Sequence, residues 1–462
     1  AQELVDPQHW NQAVLLALQP VAPALLMRAA RGLLAHHDAL RLRFTRADAG
    51  WRQHIAPPAE ELPLVWLDLS ALPAAAQAPL IERTAAQAQA GIRLDGGLLQ
   101  LVLYDCGDAA NRLLIVAHHL LIDGVSWRIV LEDLQTLCRA NGPDALLELP
   151  RKTTSFKLWA ERLVAYAQTE AVQAELDYWL ALPWHTTRAL PIELTDGDNT
   201  VATARSVTVT LDVAETRALL QAVPAAYRTQ IDDVLLTALA LAFARWTGTP
   251  TLLLDLERHG REPIFEDVDL ARTVGWLTTI TPVLIDIDAQ AEPGAQLMAV
   301  KERLRALPQR GIGYGLLRYL AADPAIAAQL RALPQAEVSF NYLGQFAQAL
   351  PATAAFQIAP ESSGPAHSPR GRRTHLLEIS AIVARDQLQI DWIYSAARHQ
   401  QATVERLAQG FLDALRLLIA HCQSPEAGGY TPSDFPLAGL DQQKLGQVLS
   451  QLADDTSEDE RR

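Results

Sequence analysis

The chain has 462 residues, enough for two or three domains' worth of core, and its 49% hydrophobic and 20% charged content is that of a globular rather than a disordered protein. A formal net charge of −14 argues against nucleic acid or an anionic membrane as partner, because both need clustered Lys and Arg, and no apolar run reaches bilayer-spanning length. Cys106, Cys138 and Cys422 are widely spaced, lack metal-ligand spacing, and read as packing thiols of a cytoplasmic protein. The opening Ala-Gln-Glu-Leu-Val-Asp-Pro has no initiator Met and no apolar signal core, so the chain reads as a piece of a longer protein.

In chain order, 22–37 carries apolar side chains at three- and four-residue steps, which predicts an amphipathic helix. Leu40–Phe44 alternates with period two and predicts a strand, with further short strands at 51–55 and 64–68 and a helix at 73–91. Leu98–Tyr104 and Leu113–Ala117 are near-continuous apolar runs, the pattern of central strands. From Val125 the apolar spacing is helical, until Asn141-Gly142-Pro143 stops it. Helices follow near 155–167 and 169–182, then a Pro-containing connector at 183–203. The boundary between two halves falls near this connector, giving units 1–180 and 181–438. The second half predicts strands at 205–211, 250–256, 281–287, 335–341, 374–384 and 387–395. Its helices fall at 213–221, 229–247, 293–306 and 401–421. Residues 439–462 start as a short helix and end in a charged, mobile tail. Alternating strands and helices indicate α/β or α+β layers. No phosphate loop, metal-ligand cluster or short repeat stands out.

The stretch with most chemistry is 114–128, where a buried strand ends in His118-His119 and Asp123-Gly124 opens a helix. Neighbouring strand residues face opposite ways, so one histidine can face a cavity while the other packs inside. A buried Asp123 requires a cationic partner, and the helix start at Gly124 offers positive charge to a developing anion. His36-His37 lacks this sequel and reads as structural. Glu257-Arg258-His259-Gly260-Arg261-Glu262 is either a solvated turn or the source of a site carboxylate and a cation for a buried acid; spacing alone does not decide. Val274-Gly275-Trp276, Gly311–Gly315 and Val338–Gly344 could be turns and core or a channel wall.

Taken together, these stretches resemble the epimerization domain of nonribosomal peptide synthetases, a branch of the condensation-domain superfamily. The resemblance rests on His118–Arg128 as HHxxxDGxSWR, on Glu257–Glu262 as ExHGRE, and on Val274-Gly275-Trp276. It also rests on Gly313–Leu320 and on Phe340-Asn341-Tyr342-Leu343-Gly344-Gln345. Thr153–Phe156, Tyr178-Trp179 and Thr431–Phe435 support it. Two positions depart from the family pattern: Arg258 where Gly is usual, and Leu277 where Phe is usual. Both departures bear on the channel wall. Family members also start somewhat earlier.

The resemblance implies two chloramphenicol-acetyltransferase-like subdomains in a V-shaped pseudo-dimer with a central tunnel. It implies inversion, L to D, of the Cα of an aminoacyl or peptidyl thioester. No cofactor or metal is implied for the domain itself. The substrate arrives on the 4′-phosphopantetheine of an upstream peptidyl carrier, and a condensation domain or another part of the synthetase is a candidate downstream partner. His119 and Glu257 are the implied proton carriers, or one of them exchanges protons while the other tunes it. His118 holds the loop, and Asp123 pairs with Arg261. Gly124, Asn341 and Tyr342 lie at the tunnel, and Ser126 starts the helix and is a candidate contact for the thioester. Two other readings remain: a condensation domain that joins two carrier-bound substrates, and a silent carrier-docking module.

Overall fold

The computed structural model describes residues 5–19, 23–48, 50–58, 62–107, 109–139, 149–345, 354–448 and 451. The first part of the chain forms β1 (Asn11–Leu18), α1 (Pro23–His36), β2 (Leu42–Ala47), β3 (Gly50–Ile55), β4 (Leu64–Asp68), α2 (Ala74–Ala90), β5 (Leu99–Asp105), β6 (Arg112–His118) and α3 (Gly124–Cys138). Three helices follow, α4 (Phe156–Tyr166), α5 (Glu170–Gln173) and α6 (Glu175–Ala181). The second part forms β7 (Ala204–Thr210), α7 (Val213–Tyr227), α8 (Ile231–Thr247), β8 (Thr251–Arg258), β9 (Thr279–Asp286), α9 (Pro293–Arg305), α10 (Ile312–Leu320) and α11 (Pro324–Ala332). It closes with β10 (Val338–Gln345), β11 (Phe356–Ile358), β12 (Leu377–Ala384), β13 (Gln387–Ser395) and α12 (Gln401–Cys422). Residues 442–448 are helical, while the charged tail from 452 and the Asn141-Gly142-Pro143 stop lie outside the described residues.

Two open sheets result. One has the order β11-β1-β6-β5-β4, the other β7-β13-β12-β10-β8-β9, and β2 and β3 form a separate hairpin. Each carries its own core. The first gathers Leu16, Leu114, Val116, Leu121 and Leu131, the second Leu235, Leu254, Phe340, Trp392 and Phe411. α8 is apolar almost all round, and Val234 through Phe243 are buried, as a helix sandwiched between a sheet and other helices requires. It ends at Gly248, whose φ of +71° makes a left-handed cap.

The halves are interleaved. β11 leaves the second part and pairs antiparallel with β1, setting Leu16 opposite Ile358. Conversely, Ala167, Val172 and Trp179, which precede residue 181, pack in the second core. The largest difference from the sequence expectation is β1, an additional strand that lies between β6 and β11. Its run Asn-Gln-Ala-Val-Leu-Leu-Ala-Leu has no clean alternation because both faces are covered, and the neighbours Leu15 and Leu16 are both buried. Leu40 and Arg41 lie in a 3-10 turn and not in the strand, which starts at Leu42. Gly311–Gly315 is helical packing: Gly313 on α10 sits where a Cβ would fall 1.9 Å from the Glu175 carboxylate of α6. Among the described residues no helix is long and apolar enough to cross a membrane.

Candidate active site at the seam between the halves

β6 delivers its last residue, His118, into the first core, and α3 starts six residues later. His118 is buried; its Nε2 lies 2.8 Å from the Pro7 carbonyl, and its Nδ1 accepts the Leu120 N–H at 3.1 Å. Both ring nitrogens are therefore spent on backbone, which fits the loop-holding role expected of it. Burial pushes its pKa down.

His119 turns the other way. Its N–H donates to Trp10 O at 2.9 Å, at the foot of β1, and its Nε2 lies 2.9 Å from Gln12 Nε2. The Trp276 ring, from the second half, lies against it with centroids 4.4 Å apart. Burial lowers the pKa of His119, opposed more weakly by its own carbonyl, by Asp123 and by the Ile122 carbonyl. The imidazole is therefore biased towards its neutral form.

Asp123 caps α3 by accepting the Ser126 N–H at 2.8 Å. The same carboxylate accepts Arg261 Nη1 and Nη2 at 3.0 and 3.1 Å and the Leu277 N–H at 3.0 Å, all from the second half. Ser126 is fully buried; its Oγ donates to Gly275 O at 2.9 Å and accepts the Gly275 N–H and an Arg261 N–H. That corrects its expected contact with the thioester: the hydroxyl is consumed in joining the halves. Within the first turn of α3, the Gly124 and Val125 N–H groups make no hydrogen bond with the described residues. They are orphan donors at the positive end of a helix. A Cβ on Gly124 would lie 3.9 Å from Leu343, so this helix start abuts the end of β10.

Glu257 lies at the end of β8, in register with Asn341 on β10, whose amide donates to Oε2 at 3.0 Å. Burial raises its pKa; His375 opposes this, and Glu378 and Asp255 add to it. The carboxyl is thus biased towards its neutral, proton-bearing form. Glu257 and His119 form no ion pair with one another. The strand pleat sends Tyr342 to the face opposite Asn341, against the second core, where burial lifts its pKa to about 12. The structure thus brings Asn341 to Glu257 and sends Tyr342 away, against the expectation that both lie at the tunnel.

Of the two departures from the family pattern, Leu277 is buried beside Trp159 and Ile312. Burial lowers the pKa of Arg258, opposed by the charges of Asp232 and Glu262. Gly260 makes the turn between Glu257 and Arg261 possible. Its φ is +65°, and a Cβ there would fall 1.6 Å from the Leu277 carbonyl oxygen. A second clasp joins the halves where Arg272 meets Glu132 at 3.0 Å and also binds Asp133, itself 2.8 Å from His37. His37 is thus held by Asp133, and the His36 ring lies edge-on to it with centroids 4.8 Å apart. Sequence reasoning assigns no role to Gln12 or His367 and names Trp276 only within the Val274-Gly275-Trp276 stretch, with no link to His119. Gln12 and Trp276 touch His119, and His367 has its pKa lowered to about 4 chiefly by burial. Trp10-Asn11-Gln12 stands out only once β1 is recognised as a strand.

Residues 2–438 match the condensation-domain family model. The chain is 47% identical over 457 residues to a linear gramicidin synthase polypeptide of Brevibacillus parabrevis, covering 98% of this chain and 6% of that protein. It is 43% identical over 457 residues to chondramide synthase cmdD of Chondromyces crocatus, covering 97% of this chain and 12% of that protein. The chain therefore spans only a small fraction of the curated relatives it matches. Among solved structures, the epimerization domain from the third module of tyrocidine synthetase B superposes with a TM-score of 0.85 at 34% identity, over 91% of this chain and 94% of that one. The first condensation domain of the calcium-dependent antibiotic synthetase shares the fold, with a TM-score of 0.65 at 20% identity over 92% and 94% of the two chains.

Proposed function

The chain belongs to the condensation-domain family, and from that premise we propose that it is an epimerization domain, inverting the Cα of an aminoacyl or peptidyl thioester. The observation that carries this reading is a pair of oppositely biased proton carriers, one from each half: His119, whose imidazole burial biases towards its neutral form, and Glu257, whose carboxyl is biased towards its proton-bearing form and held by Asn341. Joining two substrates needs no second proton carrier on the opposite wall, whereas removing a proton from one face and returning it to the other is served by two.

The thioester carbonyl acidifies the Cα–H by allowing an enolate. His119 takes the Cα proton from one face, and the electron pair moves into the enolate. Glu257 returns a proton to the opposite face. The cycle thereby turns neutral His119 and protonated Glu257 into imidazolium and carboxylate, which exchange protons with solvent to reset. Asn341 donates to Oε2, leaving Oε1 to hold the transferred proton. The orphan N–H groups of Gly124 and Val125 suit the developing enolate oxygen. Asp123, Arg261 and Ser126 keep the two walls in register.

The domain itself is proposed to bind no cofactor or metal. The substrate would be carried on the 4′-phosphopantetheine of an upstream peptidyl carrier, in keeping with the much longer synthases in which relatives of this chain reside. The test is to load an excised carrier with an L-aminoacyl or L-peptidyl group, add this chain, and follow the chirality of the released residue. A D/L mixture supports the proposal. Amide formation with a second loaded carrier, or no turnover at all, overturns it in favour of condensation or of a silent docking module.

A further inference from the structure

We propose that Gln12 is a positioning residue that fixes the tautomer of His119, holding Nε2 unprotonated and ready to accept the Cα proton. The inference rests on His119 being the base.

The argument follows from which groups can only donate. The indole Nε1–H of Trp127 has no lone pair to accept with, and it lies 2.7 Å from Gln12 Oε1. Trp127 is buried in the first core on α3, so this contact fixes which end of the carboxamide is oxygen. The other end is an NH2 group, which also only donates, and it lies 2.9 Å from His119 Nε2. Nε2 must therefore present its lone pair, and the ring proton must sit on Nδ1. Nδ1 is buried and makes no hydrogen bond, so nothing there competes for the assignment.

The relay is anchored by backbone. His119 N–H donates to Trp10 O, and Asn11 and His118 are paired in the β1–β6 register. Gln12 thus lies two residues along β1 from Trp10, on the face that meets His119. Protonating Nε2 would set its N–H against the Gln12 NH2, so the relay opposes the imidazolium in addition to burial. Substrate must displace this NH2 to reach the lone pair. After proton uptake, a turned carboxamide would offer Oε1 to the new Nε2–H at the expense of the Trp127 contact. Other charged or titratable groups facing His119 are Asp123 at the start of α3, already paired with Arg261, His118 on β6, and His367 in the segment before β12.

Gln12→Glu tests this. Its carboxylate accepts from both Trp127 Nε1–H and a His119 Nε2–H, so it reverses the tautomer and favours the imidazolium. The expected result is an acid limb of the kcat/KM profile moved up by about one pH unit or more, with roughly tenfold lower activity on that limb and unchanged KM. Ring 15N shifts of His119 should show an unprotonated Nε2 in the wild type and a protonated one in Gln12→Glu. Gln12→Ala, monitored by melting temperature, separates loss of fold from loss of the relay. An Nε2–H tautomer in the wild type, or an unmoved acid limb in a folded Gln12→Glu protein, overturns the proposal. The 15N result stands apart from catalysis. If His119→Ala keeps full activity, the base assignment fails, while the tautomer measurement still tests Gln12.

Discussion

Asp123 and Arg261 meet across the two halves through N–H···O contacts of 3.0 and 3.1 Å, and each lies four residues beyond a proposed proton carrier, His119 and Glu257 respectively. The pair is almost wholly buried, with side-chain exposures of 3% and 8%. It acts as a pin that fixes the two walls of the site against each other. Removing one partner strands a buried charge. Asp123→Ala or Arg261→Ala should therefore cost roughly 3–5 kcal/mol of stability and most of the activity. Melting temperature and turnover measured together check this, and wild-type values of both would contradict it.

Turnover from the His119 face needs His119 unprotonated and Glu257 protonated. Burial moves the first below its ordinary 6.5 and the second above its ordinary 4.5. The rate should rise through a limb below pH 6.5 and fall through a limb above pH 4.5. Glu257→Gln should abolish the falling limb and lower the rate by roughly 10²–10⁴-fold. A pH–rate profile of both proteins checks this, and an unchanged falling limb in the variant would contradict it.

Gly260→Ala forces a methyl group onto the Leu277 carbonyl at a backbone conformation with φ of +65°. The neighbouring Trp276, whose ring lies tilted against His119, should shift with that loop. A loss of about 1–3 kcal/mol is expected, with activity falling further than stability. Thermal unfolding beside a kinetic assay checks it, and a fully active, equally stable variant would contradict it.

Glu175 tests the packing of α6 on α10. Burial raises its pKa to about 7, and its Oε2 has no hydrogen-bond partner. A carboxyl raised in the folded state contributes stability below its unfolded pKa and loses it as pH rises through 7. Glu175→Gln stays neutral, so it should match the wild type near pH 4.5 and exceed it by about 3 kcal/mol at pH 8. Denaturant titrations at the two pH values check this, and a pH-independent difference would contradict it.

The β6–α3 junction is legible in the sequence because its signals are local: an apolar strand, a histidine pair and an Asp-Gly helix start. The Asp123–Arg261 pair is legible through the family motifs, and the structure bears it out. What is not legible depends on distant pairing. β1 reads as a strand only once β6 and β11, about a hundred and several hundred residues away, are placed beside it. Without β1, neither Gln12 nor its relay to Trp127 is visible. Tyr342 shares a motif with Asn341, which suggests a shared place at the tunnel, but the pleat separates the two. The hydroxyl of Ser126 looks free in the sequence, which does not reveal that Gly275 closes on it.

Deuterium wash-in at the thioester Cα tests inversion most directly. A carrier loaded with an L-residue is mixed with this chain in D2O, and isotope content and chirality are read over single turnovers for the wild type and for His119→Ala. The predicted result is that deuterium and D-configuration appear together in the wild type and that both fall by roughly 10²–10⁴-fold in His119→Ala. A wild-type chain that leaves the Cα proton and its configuration untouched, or a His119→Ala protein that exchanges at the wild-type rate, would contradict it.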